Sequence, residues 1–197
     1  MAMSPLADLD AQILEGCRRG DPGAQRHVYD HYQERVFSIA LHYFRGDDAA
    51  AQDVTQEVFV KVFRTVQTFR QDARFASWLY RIVANSCIDE LRRRRRFVLF
   101  GDAPKGLEPS TPAPEVAELD ADVATALGRL SPKLRIAVLL RYFDDLSYDE
   151  IARALETTPG TVASRLNRAH AILARELRHR APAGRTPSHE PSDDRDA

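Results

Sequence analysis

Glycine and cysteine are both scarce in this chain, at 9 and 2 of 197 residues. With so few glycines there is little material for the tight turns of a many-stranded sheet, and the helix formers Ala, Leu, Arg and Glu dominate instead. Cys17 and Cys87 stand far apart and make no CxxC pair. That argues against a disulfide framework or a zinc site and reads both as small buried apolar residues. No apolar run approaches the ~18 residues needed to cross a bilayer. Met1–Asp10 carries no basic stretch followed by an apolar one, so no secretion signal is read and a cytoplasmic protein without membrane insertion is expected. Enzyme signatures are missing too: there is no P-loop, no GxSxG, no HExxH and no GxGxxG after a strand. Asp47, Asp48, Asp53 and Glu57 lack a partner base or ligand set and read as a solvated helix face. His27 and His31 are four apart, as a metal pair can be, but no third ligand follows at motif spacing, so they read as surface residues. No catalytic residue, metal or cofactor is expected.

What the chain does have is charge, and it is segregated. Charged residues make up 29% of the sequence and apolar ones 44%, with a net charge of −1. Arg70–Arg96 holds eight arginines against three acids, Phe97–Gly128 one lysine against six acids, and Pro159–Arg180 five arginines against one acid. Two basic blocks separated by an acidic one point to a nucleic-acid partner more strongly than the net value does.

The periodicity predicts an all-α protein of two small helical domains joined by a flexible linker. Residues 9–96 form the first, with breaks at Asp21-Pro22, Gly46-Asp47-Asp48 and Phe69–Ala76. Val54, Val58, Val62 and Val66 share one face there, with Phe59 and Phe63 beside it. Residues 97–120 lose periodicity and carry Pro104, Pro109, Pro112 and Pro114, the composition of a linker. Phe97–Phe100 either finishes the preceding helix or docks on a partner. Residues 121–180 are helical again, and 181–197 read as a disordered tail. Ser131-Pro132, Ser147–Glu150 and Thr158-Pro159 are helix starts, the second a capping box.

Two segments carry the chemistry. Ser147–Leu155, a turn at Glu156–Thr158 and Pro159–Leu177 make a helix-turn-helix, in which Ile151 and Leu155 meet Val162, Leu166 and Ala169. Thr161, Ala163, Ser164, Arg165, Asn167 and Arg168 then face outward. Arg suits guanine, Asn adenine, and Ser either a base or a phosphate. The alternative is a helical hairpin with a solvated basic face. The second segment, Phe69–Arg81, puts four aromatics and three arginines in 13 residues. Aromatic faces can stack on unpaired bases while arginines track phosphate, and such a loop can receive a base that has left the duplex. Trp78 reads more as a core anchor than as a stacking platform, while Phe75 and Tyr80 suit either role. Leu79, Val83, Cys87 and Leu91 form an apolar face, with Arg81, Asn85, Arg92 and Arg96 opposite. Adjacent arginines at 92–96 repel one another unless an anion is near, which suggests phosphate contact by Arg92, Arg93 and Arg96.

The segments Asp53–Phe59, Phe75–Arg81 with Ala84-Asn85-Ser86, Leu146–Ala152 and Gly160–Leu166 closely resemble the sigma factors of the extracytoplasmic function (ECF) group. The resemblance spans about Leu9–Arg178. It implies a factor that binds core RNA polymerase, through the β′ clamp and β flap, directs it to promoters and nucleates melting. Asp53, Gln56, Glu57 and Phe59 then fall in the helix that grips the β′ clamp. Phe69, Arg74, Phe75, Ser77, Trp78, Tyr80 and Asn85 fall at the minus-ten loop, with Arg81, Arg92, Arg93, Arg96 and Arg141 on DNA backbone. Thr161, Ala163, Ser164, Arg165, Asn167 and Arg168 occupy the minus-thirty-five helix. Relatives often carry basic residues where this chain has Ala163 and His170, which implies altered minus-thirty-five recognition. The resemblance also makes a separate anti-sigma protein an expected partner. Promoter elements of this kind lie roughly 60–70 Å apart at ~3.4 Å per base pair. A linker of about 24 residues reaches at most ~80 Å, so it must be held extended. A stand-alone duplex-binding regulator is the rival reading, but it leaves the aromatic loop and Asp53–Phe59 without a use.

Overall fold

The computed structural model describes residues 9–69, 74–99 and 121–178, and no strand occurs among them. The expected linker beyond Leu99 and the expected tail lie outside the described residues.

Local chemistry starts most of the helices. Asp10 accepts the N–H of Gln12 at 2.8 Å before α1 (Ala11–Arg18), and Asp21 accepts that of Gly23 at 2.8 Å before α2 (Pro22–Tyr43). Asp47 accepts the N–H of Ala50 at 2.9 Å before α3 (Asp48–Thr65). Each satisfies one of the donors that a helix start leaves orphaned. A short 3-10 turn, Val66–Thr68, leads toward α4 (Phe75–Leu99), so Phe97–Leu99 finish that helix. The second half has α5 (Ala121–Arg129), α6 (Pro132–Tyr142), α7 (Tyr148–Ala154) and α8 (Pro159–Glu176). Ser147 and Glu150 close the capping box expected at α7, and Thr158 accepts the N–H of Thr161 at 3.2 Å at α8. Ser131 makes no side-chain cap bond, so Pro132 alone marks the start of α6.

Helix α1 crosses α2 where neither backbone carries bulk. A Cβ on Gly16 would lie 2.6 Å from Cβ of Ala24, so glycine is required at that crossing. Val28, Tyr32, Val36 and Ile39 of α2 are buried with Val54, Val58 and Val62 of α3 and with Leu79, Val83 and Cys87 of α4. In the second half Ile136, Leu139 and Leu140 of α6 enclose a core with Ile151 of α7 and Val162, Leu166 and Ala169 of α8.

The two helical units expected from the periodicity are both present, and they close on each other to share one continuous apolar cluster. Polar groups fasten the seam. Arg35 of α2 donates to Asp144, between α6 and α7, at 2.7 Å, with side chains only 10% and 5% exposed. Arg135 of α6 donates to the carbonyls of Tyr43 at 2.7 Å, Leu127 at 2.8 Å, Gly128 at 3.1 Å and Leu130 at 3.3 Å. Its guanidinium thus caps the carbonyl ends of α2 and α5, where the helix dipoles favour a cation.

Candidate nucleic-acid interface

Helix α4 begins in an aromatic nest. The Phe75 ring lies 5.5 Å from Phe69, 5.4 Å from Trp78 and 5.6 Å from Tyr32. Phe69, Phe75, Ser77 and Tyr80 are all buried, whereas Trp78 is only partly so. For Phe75 and Tyr80 this decides between the two roles left open by the sequence: they are core residues, because both edges of α4 are packed, one on α2 and the other under α7. Burial pushes the Tyr80 hydroxyl well above the ordinary phenol range, and that hydroxyl faces Asp144. These side chains shape the surface from beneath.

What α4 presents outward is the strip Arg74, Trp78, Arg81, Asn85, Arg92 and Arg96, at three- and four-residue spacing along one helix face. Asn85, Arg92 and Arg96 are exposed. Arg74 pairs with Glu150 of α7, and Arg81 pairs with Glu156, just past α7, at 2.9 Å. The arginine run is balanced in part from within the chain, at Arg92, Arg93 and Arg94. Arg92 meets Asp89 at 3.2 Å; Arg93 and Arg94 meet Glu90 at 2.6 and 2.7 Å; and Arg94 also reaches Asp47 at 2.6 Å. Glu90, itself buried, is the anion that repulsion among the arginines calls for. The i,i+3 and i,i+4 spacing from Glu90 to Arg93 and Arg94 was the available signal.

On α3, Asp53, Gln56 and Glu57 are exposed together. Phe59 is not: it is 3% exposed, with its ring 4.7 Å from Tyr29, so it belongs to the core and not to an outward grip. Val60 stands in its place on the outer face at 55% exposure, an apolar residue four positions after Gln56 that the sequence reading overlooked.

On α8, Ser164, Asn167 and Arg168 are exposed, while Thr161, Ala163 and Arg165 are partly buried. The Thr161 hydroxyl lies 2.9 Å from that of Thr158 at the helix start. Arg141 is turned inward to structure: it donates to the Leu146 carbonyl at 2.9 Å and lies over the Tyr148 ring at 5.8 Å. His27 and His31 stack at 6.3 Å, and no cluster of three metal-ligating side chains occurs among the described residues. No described helix is long and apolar enough to cross a membrane.

Residues 28–97 match Sigma-70 region 2, and residues 120–173 match Sigma-70, region 4. The RNA polymerase sigma-H factor of Pseudomonas aeruginosa is 34% identical over 181 residues, covering 85% of this chain and 93% of that one. The ECF RNA polymerase sigma-E factor of Escherichia coli is 32% identical over 177 residues, covering 83% and 92%. The chain belongs to the ECF sigma factors. It therefore acts in promoter-specific initiation of transcription by RNA polymerase. Among solved structures, CnrH in complex with the cytosolic domain of CnrY resembles this sigma factor with a TM-score of 0.65 at 25% identity, covering 85% of this chain and 96% of that one. The sigma factor RpoE of Bartonella quintana, in complex with the anti-sigma factor NepR, shares the fold with a TM-score of 0.63 at 23% identity, covering 78% and 96%.

Proposed function

We propose that this sigma factor divides its work among three helices. The exposed face of α3, with Asp53, Gln56, Glu57 and Val60, meets core polymerase, the apolar Val60 supplying desolvated contact inside a polar rim. The α4 strip engages the minus-ten element: Arg74, Arg81, Arg92, Arg93 and Arg96 follow phosphates, while Asn85 and Trp78 address unpaired bases. Phe69, Phe75, Ser77 and Tyr80 hold that strip in shape. Helix α8 enters the minus-thirty-five major groove with Ser164, Arg165, Asn167 and Arg168, Thr161 and Ala163 lying at its mouth. Arg141 fixes the Leu146 turn that aims α7 and α8, so its effect on DNA runs through geometry.

The observation that carries this reading is the single face of α4 on which arginines and an exposed Asn85 align above a nest of buried rings. The protein supplies no catalytic step of its own, works in the cytoplasm, and is held inactive by a separate protein, as CnrH and RpoE are seen with partners. Run-off transcription with sigma-free core polymerase on genomic fragments tests the whole. In that assay Asn85→Ala lowers promoter opening by about ten-fold or more, the loss of one good base contact, while duplex binding changes less. Normal opening by Asn85→Ala would remove the α4 strip from the minus-ten role.

A further inference from the structure

Helix α1 lies ahead of the stretch that matches region 2, yet its last turn reaches the aromatic nest at the start of α4. Arg18 donates from Nη2 to the Phe69 carbonyl at 2.8 Å, 51 residues on, and Gln67 donates back to the Arg18 carbonyl at 3.4 Å. Glu15, one turn earlier on α1, lies 3.6 Å from Nη1 and steadies the guanidinium from its own helix. The mount itself is fixed: Leu14 and Cys17 are buried, and Gly16 meets Ala24 with no room for a Cβ. Phe69 leaves the 3-10 turn in extended conformation, so its carbonyl has left the helical ladder and needs an outside partner. A guanidinium is a strong one, because the bond is charge-assisted. The Phe69 ring is buried, 5.5 Å from Phe75 and 5.5 Å from Trp78. Phe69 and Phe75 together back the indole of Trp78, which is only partly buried.

We infer that Arg18 is a positioning residue for the minus-ten contact: by holding the Phe69 carbonyl it sets the ring against which Trp78 rests, and with it the angle at which the indole meets an unpaired base. The inference rests on the reading of Trp78 as a base contact. Stacking between rings depends on offset and tilt, so a backing ring that drifts carries the indole out of register. Arg18 acts through Phe69 and not by touching DNA.

Trp78 is the single tryptophan of the chain, so its fluorescence reads the nest directly. Arg18→Met keeps the apolar stem and removes the donors, and Arg18→Lys restores one donor. Arg19→Met removes the same charge one residue along, from a side chain 68% exposed. Each full-length variant is measured for acrylamide quenching of Trp78 without DNA and for promoter opening with core polymerase, beside Trp78→Ala. Arg18→Met is expected to make Trp78 more readily quenched, to shift its emission to the red, and to lower opening about five-fold, the low end of what stacking one base contributes. Arg18→Lys should recover most of both losses, and Arg19→Met should change neither. An Arg18→Met chain whose quenching and emission match the unsubstituted protein overturns the inference whatever opening does, because a lost phosphate contact would lower opening without disturbing the free nest. A disturbed nest with normal opening overturns it as well, provided Trp78→Ala opens poorly. Normal opening by Trp78→Ala removes Trp78 as a base contact and the inference with it, while Asn85→Ala still tests the α4 strip. Gln67→Ala loosens the same joint from its other side and should move Trp78 the same way by less. If Arg18→Met does not fold, an unmoved Trp78 in Gln67→Ala overturns the inference.

Discussion

His42 shows how one side chain ties the seam to acidity. Its Nδ1 lies 2.6 Å from the Ser38 carbonyl, and its ring sits 4.1 Å from that of Phe143, across the seam. Burial pushes its imidazole below the ordinary histidine value, against the Ser38 hydrogen bond, which works the other way. His31 is lowered as well, by burial first and then by His27 and Arg35. A histidine that is harder to protonate when folded contributes stability that is complete above its unfolded value near 6.5 and is lost as pH falls through that value. The melting temperature is therefore expected to drop between pH 7.5 and pH 5.5, and His42→Asn to flatten that slope while lowering the whole curve. A slope unchanged by His42→Asn would assign the acid sensitivity elsewhere.

At the scale of elements, α7 is the least self-sufficient helix, with seven residues and a start that depends on its box. Glu150 accepts the Ser147 N–H at 2.9 Å and the Ser147 hydroxyl at 2.8 Å. Burial works to raise its carboxyl, but the Ser147 hydrogen bonds and Arg74 outweigh that and hold it below the usual glutamate value. Stability from this group is thus present above about pH 4.5 and lost as pH falls further. Ser147→Ala should cost about 1 kcal/mol in urea unfolding, with amide exchange in α7 quickening more than in α2; equal quickening throughout would deny α7 that dependence. This box was legible in the sequence because a cap is an interaction among neighbours, and the same holds for Asp21-Pro22 and Thr158-Pro159. The helical faces of α3 and α4 were legible as well, through their period. Which residue of a face meets a partner was less so: the period already set Phe59 beside the buried valines, where Tyr29 of α2 packs on it, but nothing in the period marked its neighbour Val60 as the apolar residue of the outer face. Arg135 was equally hidden, since the Tyr43 carbonyl it caps belongs to another helix 92 residues earlier.

For the whole molecule, the buried Arg35–Asp144 pair sets the terms of closure. Burial raises the Asp144 carboxyl above its ordinary range although the facing Tyr80 hydroxyl and the Arg35 hydrogen bond pull it down, so desolvation is the dominant cost at this joint. Breaking such a pair from one side strands a charge. Asp144→Ala is expected to cost about 3 kcal/mol in urea unfolding, and Arg35→Met with Asp144→Leu to recover most of it. A double variant no better than the single one would mean the pair contributes a specific attraction that apolar packing cannot replace. The seam has one more consequence, and it concerns time. Arg35 and Asp144 are 109 residues apart in sequence, Arg74 and Glu150 are 76 apart, and Arg81 and Glu156 are 75 apart. Synthesis at roughly 5–20 residues per second delivers Asp144 about 2–9 s after Leu99. Contacts of such long sequence separation also form late in folding. Each newly made chain thus passes through an interval in which α1–α4 can be assembled and α7 has yet to be made, and in that interval the α4 strip stands uncovered beside whatever the cell offers it.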